Sequence, residues 1–346
     1  MTAFDNNKTT IKYSSIMNMN NNRTENAVKQ YCDTMIHVIE GLKQGWRRTW
    51  LTTEGVGRPM NMSGREYSRL NEFYLLMVCE QMGYDYPIFM TFNQCKQSGV
   101  HVNKGEKSVA VLFWCMRAHE KRGKNDISID NYHQLPDAER DRFETYAVLR
   151  CYNVFNIAQT SMQEDAPELY EKLTSNYKTP AIAETTDGMY SNAKLDNLIA
   201  GKWICKVIVR KQSKAFYNPK SDSILLPEKE QYNMGGTTEQ VYAGGQEYYS
   251  TFLHEATHST GADTRLNRFD KGKEEGKAYG REELVAELTA ALIGHELGFN
   301  TSVEKNNAAY LSGWLKVCKE QPRFLVSVLA DVSKAADIID KAIDAA

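Results

Sequence analysis

The sequence predicts an α+β protein of two domains, and three observations carry that prediction. The chain has 346 residues, of which 42% are hydrophobic and 25% charged; this is a globular composition, long enough for two cores at roughly 100 to 200 residues each. Its first half reads as helix and then short strands, its second as strands and then helices. Between them, Gln159 to Ala193 is polar, holds Pro167 and Pro180, and lacks a long periodic segment. The expected layout is a flexible tail over 1–25, a first domain over 26–160, a linker over 161–194 and a second domain over 195–346.

The elements follow in order. Residues 1–25 are rich in Asn, Thr and Lys with little to bury, which predicts the tail. From Ala27 to Leu42, Val28, Tyr31, Cys32, Met35, Ile36, Val38 and Ile39 recur at helical spacing before Gly41 and Gly45. A second helix is expected over Ser68 to Met82, with Leu70, Phe73, Tyr74, Met77 and Val78 on one face. PIFMTF and SVAVLFW then read as strands separated by the glycine-punctuated QSGVHVNKGEK. In the second half KVIVR and SILLP are strand candidates, with turn residues in FYNPKSDS between them. Helices are expected over Glu247 to Thr260, over Arg281 to Leu297, and in amphipathic segments from Ala308 onward.

Seven cysteines stand at 32, 79, 95, 115, 151, 205 and 318, never as a C-x-x-C pair. Buried reduced thiols fit better than a disulfide framework or a cysteine zinc knuckle. No stretch approaches the roughly 18 apolar residues of a membrane span, and the N-terminus has no secretory pattern, so a cytoplasmic protein with no membrane partner is expected. The net charge of −2 hides an asymmetry. Residues 41–124 hold 13 Lys/Arg against 7 Asp/Glu, whereas residues 125–346 hold 25 against 33. A basic block ahead of an acidic body suggests an anionic partner for the first domain.

The strongest local signal is His254-Glu255-Ala256-Thr257-His258. Positions i and i+4 of a helix share a face, so two such imidazoles can hold one zinc ion with the intervening Glu beside its open position. Glu255 is then the general base on a water acidified to a pKa of around 7. Tyr248, Tyr249, Phe252, Leu253 and Ala256 supply apolar material to bury this segment as a helix. A third ligand in the extended H-E-x-x-H-x-x-G-x-x-H pattern is disfavoured: Gly261 fits, but Thr264 occupies the ligand position and Asp263 is out of register. A carboxylate on the next helix is the alternative, and Glu283 and Glu287 share a face there. Glu282 and Glu283 also suit a helix N-terminus electrostatically, whereas Glu287, a turn deeper, has no such role, so Glu287 is the expected third ligand. His295, two turns further, is expected to be structural.

HEATHSTGADTRLNRF and YGREELVAELTAALIG resemble the metallopeptidase domain of the ArdC antirestriction proteins of conjugative plasmids and related mobile elements. WRRTW, RPMNMSGREYSRLN, TFNQCKQSGVHVNKGEKSVAVLFW and YNVFNIAQT are similar to that family's N-terminal domain, in the same order. The resemblance implies a gluzincin-type, zincin-like zinc peptidase with His254, His258 and Glu287 as ligands and Glu255 as base. It further implies an unidentified protein substrate, a first domain that binds single-stranded DNA, and protection of incoming DNA from restriction. The hairpin AFYNPKSDSILLP resembles the family's strand beside the active site, and an extended peptide adding to its edge is expected. Two departures stand out: Thr49 replaces the proline of W-x-x-P-W, and Tyr67-Ser68-Arg69 replaces arginine and glycine after the tyrosine.

Cations interleaved with aromatics point the same way. Trp46, Arg47, Arg48 and Trp50, then Arg65, Tyr67 and Arg69, then Lys104, Lys107 and Trp114 supply charges to track phosphates and ring faces to stack bases. A phosphate-cradling G-x-x-x-x-G-K-[ST] loop is absent.

Overall fold

The computed structural model describes residues 26, 28–33, 36, 57–175, 177, 187–269, 278–298 and 322–346. The expected tail, most of the first helix and the residues around Trp46 to Trp50 lie outside them. What is described of that helix, residues 28–33 and 36, is helical, with Val28, Tyr31, Cys32 and Ile36 buried.

The first unit is a five-stranded sheet in the order β1 (Met60–Asn61), β2 (Ile88–Met90), β5 (Phe143–Asn156), β3 (Val109–Glu120) and β4 (Asp126–Ser128). β3 and β5 form a long antiparallel ribbon, in register from Val109 opposite Val154 to Glu120 opposite Phe143. Between β1 and β2 lies α1 (Arg69–Met82), close to its expected span. Tyr74, Leu75, Leu76, Met77, Val78 and Cys79 are all buried. Six consecutive residues exceed one turn of 3.6, so the helix is enclosed on all sides rather than along one stripe. Asn71 ties it to the sheet: its Nδ2 donates to the Leu112 carbonyl at 2.6 Å and its Oδ1 accepts from the Leu112 N–H at 2.8 Å. Such an amide substitutes for the missing neighbour of that strand.

Residues 161–175 and 177, within the expected linker, fold onto this unit. Three short helices, α2 (Phe92–Gln97), α3 (Ile129–Gln134) and α4 (Asp137–Arg140), connect the strands, and two more, α5 (Met162–Asp165) and α6 (Pro167–Thr174), follow β5. Met162, Leu173 and Tyr177 share one core with Ile88, Met90, Cys95, Val100 and Ile157. The sequence concealed this because each helix is too short to show a period.

The second unit opens with α7 (Ala193–Asn197) and a three-stranded sheet in the order β6 (Lys206–Val209), β8 (Ser223–Leu226), β7 (Phe216–Asn218). β8 is central, parallel to β6 and antiparallel to β7, which is an edge. The segment read as turn between KVIVR and SILLP thus contains a strand of its own. The long helix α8 (Thr238–Thr260) begins well before the expected Glu247. A capping box at Thr237 and Gln240 starts it: Thr237 Oγ1 accepts from the Gln240 N–H, and Gln240 Oε1 from the Thr237 N–H. Gly244 and Gly245 sit inside it because neighbouring backbone leaves no room. A Cβ at 244 would stand 2.3 Å from the Tyr232 carbonyl oxygen, and one at 245 only 2.4 Å from the Tyr190 nitrogen.

Among the described residues two further helices follow, α9 (Ala278–Glu296) and α10 (Pro322–Ala345). α10 packs against α9 and α8 of the second unit and against α1 of the first. Its buried side chains include Leu325, Val328, Leu329, Val332, Ala336 and Ile339. They belong to one apolar cluster that also contains Tyr74 and Leu112 on one side and Phe252 and Leu288 on the other. Arg281 of α9 reaches Asp331 of α10 at 2.8 Å, both nearly fully buried, and donates to Ser327 Oγ at 2.8 Å. Among the described residues no helix is long and apolar enough to cross a membrane.

Candidate metal centre

His254, Glu255 and His258 lie in the last two turns of α8, and α9 packs across them. The two imidazole Nε2 atoms are 3.0 Å apart. Glu283 meets both, with Oε2 3.5 Å from His254 Nε2 and Oε1 3.6 Å from His258 Nε2. Ligand atoms of His254, His258 and Glu283 all fall within 4.8 Å of one another. Two imidazoles and a carboxylate gathered on one side are a donor set suited to a divalent cation.

The other two acids of α9 stand behind the imidazoles. Glu287 Oε1 is 3.5 Å from Nδ1 of His254, and Glu282 Oε1 is 3.5 Å from Nδ1 of His258. Glu283 faces the convergent nitrogens, whereas Glu287, the expected third ligand, faces the opposite nitrogen of one ring. Glu283 reads in the sequence as a helix N-terminal charge, but α9 begins at Ala278, so its first turn contains no acid and Glu283 lies in the second. His295 is buried further along α9 and does not join the donor group.

The carboxylates dominate the electrostatics. Burial alone would lower the His254 pKa, but the hydrogen bond with Glu283 and the charges of Glu287 and Glu255 raise it to about 9. A field that holds a proton so firmly also favours a dication at the same place. Glu282 is opposite in sense: burial would raise it, yet hydrogen bonds from His258 and Arg268 hold it below the usual carboxylate range. Arg268 is wholly buried, with Nη2 at 2.6 Å from Glu282 Oε1, Nη1 at 2.7 Å from Thr260 Oγ1 and Nη2 at 2.7 Å from the Thr257 carbonyl. It therefore fixes both the acid behind His258 and the end of the helix that carries the histidines.

Glu255 turns toward the small sheet. Its Oε2 accepts from the Tyr217 N–H at 2.7 Å. Tyr217 lies on β7, and this N–H points away from β8, so the free edge of β7 runs alongside the site. The edge is held in place from behind: Tyr217 Oη donates to Asp222 Oδ1 at 2.8 Å, Arg265 pairs with Asp222, and Arg265 Nε donates to the Ser259 carbonyl at 2.6 Å. The exposed edge is β7 and not SILLP, whose Ile224 is fully buried on the central strand. The sequence assigns no role at this site to Tyr217, Asp222, Arg265 or Arg268, and it reads Glu282 only as a helix-terminus charge.

The nucleic-acid candidates are scattered. Arg65, Lys104 and Lys107 are exposed. Tyr67 is buried, its hydroxyl donating to the Phe89 carbonyl at 3.1 Å and its ring perpendicular to Phe89, so it is a core residue and not a stacking platform. Arg69 opens α1, while Trp46, Arg47, Arg48 and Trp50 lie outside the described residues.

Comparison with known proteins matches both halves. Residues 25–155 fit the model of the N-terminal domain of anti-restriction factor ArdC, and residues 193–331 that of a zincin-like metallopeptidase. Two Escherichia coli DNA primases named TraC are 28% identical over 309 residues, 87% of this chain. The chain spans only 19% and 26% of their lengths. An uncharacterized Sinorhizobium fredii protein, y4eC, is 26% identical over 310 residues, 88% of each chain. The metal-free crystal structure of antirestriction protein ArdC from plasmid R388 superposes with a TM-score of 0.64 at 24% identity, over 91% of this chain and 98% of that one. Its Mn(II)-bound form gives 0.61 over 91% and 97%. With an ArdC N-terminal domain followed by a zincin-like metallopeptidase domain, the chain belongs to the ArdC-type antirestriction family.

Proposed function

We propose that the protein is an antirestriction factor of mobile DNA that binds single-stranded DNA through its first unit and hydrolyses peptide bonds through a zinc centre in its second. The observation that supports the catalytic part most is the convergence of His254, His258 and Glu283 with Glu255 alongside. Zinc suits two imidazoles and one carboxylate, and bound there it acidifies a water and polarises a carbonyl. The remaining work belongs to this chain. Glu255 takes the proton at its carboxylate and passes it to the departing amine. Glu287 and Glu282 fix the orientation of His254 and His258 through Nδ1. The edge of β7 receives the peptide backbone as an added strand, which aligns the scissile bond beside Glu255. A purely structural metal site has no use for that base.

Glu255→Gln retains stoichiometric zinc and loses cleavage of an unfolded test protein, whereas His254→Ala loses the zinc itself and part of the second unit's stability. Metal content by atomic emission, read beside a cleavage assay, checks both. Unchanged cleavage by Glu255→Gln removes it from the mechanism.

The DNA-binding part is supported by the ArdC N-terminal domain match and by the basic block at 41–124. Electrostatic binding of this kind weakens steeply as salt rises.

A further inference from the structure

The β3–β5 ribbon has a face that neither the motif nor the charge count singled out. Residues directly opposite in an antiparallel pair share a face, so Val111, Phe113 and Cys115 stand beside Tyr152, Arg150 and Val148. The inner end of this face is closed, with Val111 and Val154 buried. It opens at Phe113 and Tyr152, which are half-buried, and at Arg150, which is exposed. The two rings are diagonal neighbours with centroids 5.2 Å apart and planes tilted by 59°. Arg65 also comes near Tyr152: burial raises the Tyr152 phenol and the charge of Arg65 opposes that shift, which places the guanidinium near the ring.

The two cations differ from their neighbours. Arg58 pairs with Glu66 and Glu72, Arg117 with Asp126, Arg140 with Asp137 and Arg142 with Glu120. Arg65 and Arg150 are exposed and make no ion pair with a described residue. An aromatic pair flanked by two uncompensated guanidiniums matches the chemistry of an unpaired nucleic-acid strand, whose phosphates need cations and whose free base faces need rings. A duplex conceals its base faces and a peptide has none.

We propose that the face formed by Phe113, Arg150 and Tyr152, extended by Arg65, is where a single nucleic-acid strand lies and stacks its bases. This rests on the DNA-binding reading above and assigns its location. The rings provide sequence-tolerant stacking, and the guanidiniums hold the phosphate backbone.

The test uses the full chain and a fluorescein-labelled oligothymidylate, titrated by anisotropy over a salt series. Phe113→Leu and Tyr152→Leu are each expected to weaken binding about ten-fold. Arg150→Gln is expected to make the salt slope shallower by about one. Phe113→Trp is expected to bind with indole quenching beyond that of the parent chain, whose own five tryptophans set the baseline. Arg150→Gln and Phe113→Trp preserve the ribbon's packing and decide the matter if the leucine variants fold poorly. Binding by the parent chain that these two variants leave unaltered, with no quenching beyond the parent's, overturns the location and leaves the DNA-binding reading standing. No binding by the parent chain at low salt overturns both.

Discussion

Substituting Glu283 and Glu287 one at a time separates two tasks that their shared helix face disguises. Glu283→Ala removes a donor that meets both Nε2 atoms, and near-complete loss of the metal is expected in competition with a chromophoric chelator. Glu287→Ala leaves the donors in place but frees His254 Nδ1, and a loss of about 10- to 100-fold in affinity is expected. The reverse ranking returns Glu287 to the ligand position. His254, Glu255 and His258 were legible in the sequence because one helical turn brings them together. The choice between the two glutamates was not, because it depends on which nitrogen of a ring faces which acid, a property of how α8 and α9 pack. Arg268 and Tyr217 were illegible for the same reason: each acts on the site from another element.

At the scale of elements, the sequence revealed α1, β2, the first half of β3 and α9 to within a few residues, but not β5, the longest strand. It also missed the first two and a half turns of α8, because a Gly-Gly pair reads as a break unless the backbone lying against it is known. It also suggested one apolar face for α1 where the structure covers the helix all round, since the second cover is supplied by α10, remote in the chain. The α9–α10 contact contains an ion pair whose removal is informative. Asp331→Ala abandons the buried Arg281 guanidinium, and a loss of about 3–5 kcal/mol is expected from denaturant unfolding. A loss under about 1 kcal/mol would mean that the pair contributes little beyond its packing.

For the whole molecule, the apolar cluster that passes from α1 through α10 to α8 and α9 argues against two independently melting halves. A single calorimetric transition is expected, with calorimetric and van't Hoff enthalpies in agreement. Two resolved transitions would show that α10 joins the units without coupling them. The two-domain division was legible from composition and punctuation, whereas this coupling was not, because an amphipathic segment does not state what it will cover. The same helix has a consequence for biosynthesis. It leaves the ribosome roughly 240 residues after α1, a delay on the order of tens of seconds at about 5–20 residues per second. Throughout that interval the outer side of α1 waits without its cover, so the nascent chain carries a sticky surface long after its first sheet can form, and its yield in the cell depends on how well chaperones shield that surface until α10 arrives.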